Sequence, residues 1–383
     1  MYKIMTAGPV QVRDNVLLAS AKQATNPDLD HSFFQFYKEL TDDLNGYVNN
    51  DGCCYILGGE GILGLEAAIA SLTEPGDNVL IIDNGVFGKG FGDFVSMYQG
   101  TPHYYKRDYH KAISPEDLDE FITSWEKQGK APFKYATLVH CDTPTAMLNP
   151  IEQICNVLHS HHIMTVVDAV SSLFACPVNM KTSYIDILCG GSQKALSAPS
   201  GLSMVWLSKD ALNAIENRKK PIQSFYANLS VFKDYYEKKW FPYTMPIHQI
   251  NGLRVAFDNV LDNPNFQLNH EKIAYATRVA CINCGLSLWG SDGFSPTVTA
   301  IKVPNGISDK DVFDLMEKEH NIMLSGGFDS VAGQVIRIGH MGENAKEGLV
   351  FETLLALDDV LQKLGVGLED SLAISFAKAL QEL

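Results

Sequence analysis

The chain is predicted to be α/β, with a large, mostly parallel sheet covered by helices and a smaller α+β unit after it. Three observations predict this. Strand-like and helix-like segments alternate over residues 50–210, as in successive βαβ units. The strand segments are continuously apolar, which fits a sheet covered on both faces. From about residue 246 long helices interleave with short strands, which marks a second unit. A chain of 383 residues has room for two or three domains. The division drawn here is an N-terminal arm over 1–20, a large domain over 21–245 and a small C-terminal domain over 246–383, begun by a long linking helix.

Each element follows from its pattern. "GILGLEAAIASL" (61–72) carries apolar residues at helical spacing behind a Gly-rich turn. "EPGDNVLIID" gives a turn and a strand ending at Asp83. "GVFGKGFGDFVSMYQG" then reads as a helix and "KYATLVH" as a buried strand. "IEQICNVLHSHH" is an amphipathic helix, and "IMTVVDAV" a strand ending near Asp168. "YIDILCG" and "LSMVWLS" are short buried strands, rich in β-branched, aromatic and aliphatic residues. Beyond them "PIHQINGLRVAFDNVL" and "NHEKIAYATRVACINCG" are long helices. The strands "TVTAIKVP" and "VIRIGHM" interleave with "SDKDVFDLMEKEH" and "KEGLVFETLLALDDVLQKLG".

Composition narrows the function classes. With 46% hydrophobic and 20% charged residues the chain is an ordinary globular protein rather than a disordered one. A net charge of −15 disfavours nucleic acid and anionic membrane surfaces as partners, while a small anionic ligand needs only local positive groups. No apolar run is long enough to span a bilayer. "MYKIMTAGPVQVRDN" has neither a signal-peptide core nor an Arg-rich transit pattern, so a cytoplasmic location is expected. The eight cysteines form no zinc spacing and are expected to be reduced. The histidines of "HSHHI" read as the exposed end of a helix, and no metal site is expected.

One stretch raises a chemical question. "GGSQKALSAPSGLS" (190–203) carries a single charge, on Lys194, and lies between two buried strands. A lysine in a loop ordinarily points into water. Caught between buried strands it is partly desolvated, which frees its amine as a nucleophile able to form a Schiff base. Pyridoxal phosphate is the common carbonyl partner, and its site needs further parts. Asp168, at the end of "MTVVD", offers a carboxylate for a pyridine nitrogen, or else simply caps the next segment. Gly58, Gly59 and Gly61 precede a helix whose N-terminus could hold a phosphate, although Glu60 puts a carboxylate beside it. Phe87 is either a core residue or a ring-stacking group. Arg337, one of only six arginines, lies in the apolar strand of "QVIRIGHMG". Its fork suits a substrate carboxylate or a structural ion pair.

Together these residues resemble the class V, or fold type I, pyridoxal-phosphate aminotransferases, with the closest likeness to alanine–glyoxylate and serine–pyruvate aminotransferases. The likeness runs through "TAGPV", "GGEGILGLEAA", "DNGVFG", "HCDTPTAML", "VDAVSSL", "GSQKAL", "YTMP" and "VIRIG". The pairing of "VDAVSSL" with "GSQKAL" at this separation is the specific part. The resemblance implies pyridoxal 5'-phosphate as cofactor, joined to Lys194, which also moves a proton during turnover. It implies that Asp168 pairs with the pyridine nitrogen, that Val170 and Phe87 cover the ring's faces, and that Thr143 bonds its phenolic oxygen. Glu60, Gly61, Ile62 and Gln193 would line the phosphate, joined by Thr244 from a partner subunit of a homodimer with shared sites. Arg337 would bind the substrate α-carboxylate, helped by the backbone near Gly8. Three positions depart from the family pattern. Ile62 stands where a relative has His, "DTPTA" where relatives have "ExSTG", and Phe241 where a phosphate-binding Tyr is expected.

The implied activity is transfer of an amino group from a small amino acid to a 2-oxo acid such as glyoxylate or pyruvate. The alternative is a 2-aminoethylphosphonate–pyruvate transaminase, which needs a second anion site. A cysteine desulfurase or other lyase of this cofactor fits less well, because that group has a His before the lysine where this chain has Gln193. A non-enzymatic regulator would be expected to carry a basic DNA-binding module, and residues 1–50 contain no basic helix.

Overall fold

The structure is a computed structural model and describes residues 2–383. Its strands are β1 (Lys3–Ile4), β2 (Cys53–Leu57), β3 (Asn78–Asp83), β4 (Thr101–Lys106), β5 (Tyr135–Val139), β6 (Cys141–Asp142), β7 (Met147–Leu148), β8 (Met164–Asp168), β9 (Ile187–Gly191), β10 (Ser203–Leu207), β11 (Thr299–Lys302), β12 (Ile322–Met323), β13 (Ser325–Gly326) and β14 (Val335–Ile338). The helices are α1 (Asp14–Ala21), α2 (His31–Tyr47), α3 (Gly61–Leu72), α4 (Val86–Met97), α5 (Pro115–Lys127), α6 (Ile151–Ser160), α7 (Lys209–Glu216), α8 (Tyr235–Lys238), α9 (Ile247–Leu261), α10 (Phe266–Asn283), α11 (Asp309–His320), α12 (Glu347–Lys363) and α13 (Leu372–Gln381).

Seven strands form the main sheet in the order β2-β10-β9-β8-β5-β3-β4. Pairing is parallel from β9 through β4, and β10 alone runs antiparallel to its neighbours. The strands β5 and β9 are buried along their whole length, as their unbroken apolar runs predict. Helices cover both faces and enclose one large core. This is the predicted α/β architecture.

A second core gathers residues of α10, α11, α12 and α13 around the three-stranded sheet β11-β14-β13. The long helix α9 packs on the large core. Ile250, Leu253, Phe257 and Val260 of α9 are buried in the large core, so that helix belongs by packing to the unit before it. A 3.6-residue period shows that a helix has a buried face, but not which core receives it. The N-terminal segment is also tied down at both ends. β1 pairs with β12 of the small unit, and Asn15 of α1 bonds Asn259 of α9 at 2.9 Å. Between those anchors Ala7 and Gly8 pass over the end of the main sheet.

Candidate active site

Register brings the site together. β8 pairs in parallel with β5 and β9, with Asp168 opposite Val139 on one side and Cys189 on the other. The segments leaving these three strands, His140–Thr143, Asp168–Ser171 and Ser192–Lys194, therefore open onto one crevice at the carboxyl edge of the sheet. The start of α3 closes it. A Cβ at Gly61 would lie 2.8 Å from Cγ2 of Val170, so a glycine is needed for this close approach. The lysine loop holds itself without charges: Ser192 Oγ donates to Pro199 O at 2.7 Å, and Ala198 N–H to Ser192 O at 2.9 Å.

The crevice is a cavity of about 230 Å³. Its wall includes Gly8, Glu60, Gly61, Ile62, Phe87, Thr143, Asp168, Val170, Gln193 and Lys194. Of the residues singled out from sequence, Gly58, Gly59, Arg337 and Thr244 are not part of it. Leu65, Cys141 and Ser171 complete the wall and were not anticipated, although Cys141 and Ser171 lie inside the quoted "HCDTPTA" and "VDAVSSL".

Lys194 enters the cavity as a partly buried amine, and its Nζ donates to Ala7 O at 2.6 Å. Burial pushes its pKa down to about 8, and the nearby Arg337 guanidinium pushes the same way. Asp168 is only 5% exposed. Burial raises its carboxyl to about 7, opposed by the Val170 N–H that donates to Oδ1 at 2.9 Å. The Asp142 carboxylate raises it further. Here are an amine and a carboxyl, each moved toward neutral pH, facing one cavity.

Asp142 is fully buried behind Phe87. It accepts from Phe87 N–H at the start of α4 at 2.9 Å and from Thr145 Oγ1 at 2.9 Å. That fixes the helix end on which Phe87 stands, with a negative group at a helix N-terminus. The Phe87 ring meets Phe328 edge-on at 5.6 Å. Arg337 lies behind this pair, its Cζ 5.9 Å from the Phe328 ring centre. It is 7% exposed, donates through Nε to Gly326 O at 2.8 Å, and forms no ion pair among the described residues. A buried guanidinium with its fork unmatched has donors to spare for an anion.

The other end of the cavity is built by Glu60 and Gln193. Glu60 is the N-cap of α3, its Oε1 accepting from Ile62 N–H at 3.1 Å. Gln193 Nε2 donates to Glu60 Oε2 at 3.3 Å, while Gln193 Oε1 is buried without a partner. Thr244 is exposed and outside this cavity, its Oγ1 donating to Asp28 at 2.9 Å. The aromatic run around it is not uniformly exposed. Phe241 stacks on Phe34 at 4.5 Å inside this subunit's own core, and Met245 is buried with it. Trp240, at 57%, is the exposed member of the run.

A pyridoxal ring fits this constellation. Asp168 is a buried carboxyl with no basic partner in hydrogen-bond contact, suited to a protonated ring nitrogen, and Ser171 Oγ is buried in the wall without a partner. Val170 and Phe87 offer apolar walls, and Lys194 supplies the amine.

Comparison with known proteins agrees. The profile of the aminotransferase class-V family matches residues 105–349. The chain is similar to the pyridoxamine–pyruvate transaminase of Mesorhizobium japonicum, 32% identical over 98% of this chain and 97% of that one. It is also similar to the alanine–glyoxylate aminotransferase of Felis catus, 26% identical over 94% and 87%. The crystal structure of ureidoglycine–glyoxylate aminotransferase from Bacillus subtilis superposes with a TM-score of 0.93 at 28% identity, covering 100% of this chain and 98% of that one. The chain belongs to the class V aminotransferases, and it is a transaminase of fold type I with pyridoxal 5'-phosphate as its cofactor.

Proposed function

We propose that this transaminase moves an amino group from a small amino donor to a small 2-oxo acid such as glyoxylate or pyruvate. The observation that carries the proposal is the unmatched, buried Arg337 guanidinium beside the Lys194 cavity. It suits one carboxylate, the group that amino acids and 2-oxo acids share. The names of the similar proteins, with glyoxylate or pyruvate as acceptor, point to the same substrate class.

When bound, the cofactor supplies an electron sink next to the substrate's α-carbon. The chain's own residues do the rest. Lys194 Nζ anchors the cofactor and moves a proton to and from the substrate α-carbon. Its low pKa favours the amine that this needs. Asp168 holds a proton on the ring nitrogen. Thr143 and Ser171 would bond the ring's polar edge, Phe87 and Val170 would cover its faces, and Glu60, Gly61, Ile62 and Gln193 would hold its side arm. Arg337 and the backbone near Gly8 orient the substrate carboxylate.

A homodimer in which Thr244 reaches the partner's cavity belongs to the same proposal, supported by its exposure and by Ile62, 37% exposed at the cavity wall. Eight free cysteines support a reducing, cytoplasmic setting. Seven are buried and Cys53 is partly so, which supports transamination over a desulfurase needing an exposed thiol. The test is spectroscopic. Each candidate amino donor is mixed with the purified protein, and loss of the aldehyde form's absorption identifies a donor. Restoration by glyoxylate or pyruvate identifies the acceptor. If no 2-oxo acid restores the spectrum, the proposal is wrong.

A further inference from the structure

We infer, on the basis of the transaminase reading above, that Phe328 decides how large a substituent the substrate's α-carbon can carry. The Lys89–Asp329 ion pair holds its ring in place for this.

Phe328 touches both groups between which the substrate lies. Its ring meets Phe87, an apolar wall of the cavity, edge-on at 5.6 Å. Arg337 Cζ lies over the same ring, 5.9 Å from its centre. Among the described residues only the Nε of Arg337 is bonded, so the fork keeps its free edge. A carboxylate seated on that fork therefore lies beside the Phe328 ring. The α-carbon then sits between the fork and Lys194, and its third substituent has two directions. The interior one is closed by Cys141 and Asp142, both buried and both near the guanidinium. The outward one runs past Phe328, which is 42% exposed. A ring at that place limits the length of chain that passes it.

The loop that carries this ring is pinned at three points. Gly326 O accepts from Arg337 Nε at 2.8 Å, and Val331, three residues past Phe328, is buried. A Cβ at Gly327 would collide with Val331 O, so the chain folds back tightly between those two anchors. Asp329 is the third point. It takes a left-handed φ of +50°, uncommon for a residue with a Cβ, and its carboxylate lies 3.7 Å from Lys89 Nζ. Lys89 stands two residues after Phe87 at the start of α4, so one helix turn receives both Phe328 and Asp329.

The test uses the full-length protein in its amine form, loaded with pyridoxamine 5'-phosphate. Glyoxylate, pyruvate, 2-oxobutyrate and 2-oxovalerate are each mixed with it, and the growth of the aldehyde form's absorption gives a second-order rate constant for each. In the wild type the constant for 2-oxovalerate should be at least about tenfold below that for pyruvate, the scale of a misfit of one or two methylenes. Phe328→Ala should raise the ratio of 2-oxovalerate to pyruvate by about tenfold, and Phe328→Trp should lower it. Asp329→Ala, which frees the ring, should raise it by about twofold to fivefold, the scale of one exposed ion pair. Calorimetric Kd values for the unreactive 2-hydroxy acids of the same lengths should follow the same order. A wild type that takes 2-oxovalerate as fast as pyruvate, or Kd values that ignore chain length, overturns the inference and leaves the transaminase reading standing. So does a ratio unmoved in both Phe328 variants, even where all rates fall together, as they would for a merely structural residue. A ratio unmoved in Asp329→Ala alone overturns the part given to the ion pair. If no 2-oxo acid brings back the aldehyde absorption in the wild type, both readings fall.

Discussion

Lys194 and Ala7, 187 residues apart in the chain, meet through a 2.6 Å hydrogen bond from the amine to the carbonyl oxygen. The N-terminal segment after β1 is therefore part of the lysine's environment. Gly8 stands next to that carbonyl with a φ of +94°, and a Cβ there would lie 2.4 Å from Lys194 Cδ.

Gly8→Ala should therefore push the lysine aside and strain the backbone, at about 1–2 kcal/mol for the left-handed conformation alone. Reduced trapping of pyridoxal phosphate on Lys194, with a lowered Tm, is the expected result. Unchanged trapping would show that the arm does not position the lysine. In the wild type, borohydride and peptide mapping should find the pyridoxyl group on Lys194, and Lys194→Ala should carry none.

Cofactor capture should depend on pH with a definite sign. Burial and Arg337 lower the Lys194 pKa to about 8. Below that value the group is mostly an ammonium and cannot attack an aldehyde. The capture rate should thus rise about tenfold per pH unit below 8 and level off above it. Arg337→Gln removes the cation that favours the neutral amine, so the midpoint should move to higher pH. Stopped-flow absorbance at several pH values reads both, and a midpoint that stays fixed in Arg337→Gln would break the electrostatic link.

Much of this was legible in the sequence, for identifiable reasons. Asp168 and Lys194 each follow a continuously apolar strand, and a parallel sheet gathers its strand ends at one edge, so their meeting follows from pattern alone. The burial of Asp142 was not legible. Its function is to hold Phe87 N–H, 55 residues away, and nothing local in "HCDTPTA" signals that contact. The fate of "WFPYTMP" was ambiguous for another reason. An aromatic run suits a subunit interface and a core equally, and here the stacking partner Phe34 decides for the core at Phe241.

Asp168→Asn should keep the fold, because the amide can still accept from Val170 N–H, but it cannot hold a proton on a ring nitrogen. The half-reaction rate should drop by roughly 10²–10³ or more, as for other preorganised electrostatic groups. Single-turnover kinetics with an amino donor provide the measurement. A near-normal rate with normal binding would reduce Asp168 to a cap for the segment after β8.

Arg337→Lys should be costly despite the retained charge, because a point ammonium cannot form two parallel bonds to a carboxylate. The loss in transition-state binding should be about 2–5 kcal/mol, on the scale of disrupted buried charge pairs. Amines without an α-carboxylate should be much less affected. Comparing kcat/KM for an amino acid and for 2-aminoethylphosphonate separates the cases. Equal damage to both would exclude Arg337 as the carboxylate anchor.

Subunit sharing is tested by complementation. Thr244 is exposed and lies outside its own subunit's cavity, next to the exposed Trp240, with Phe225 and Tyr226 also exposed. Apolar aromatic surface of this kind suits an interface better than open solvent. Thr244→Arg should fold, since the site is exposed in the single chain, yet it should spoil whichever cavity that position faces in a dimer. Lys194→Ala subunits are inactive for a different reason. When the two variants are mixed and allowed to exchange, a shared site predicts that mixed dimers hold one cavity with both defects and one with neither. Activity should then return, in proportion to the mixed dimers measured by native mass spectrometry. If residues 194 and 244 served the same cavity, both cavities of a mixed dimer would be defective. Mixed dimers without recovered activity would therefore confine Thr244 to its own subunit.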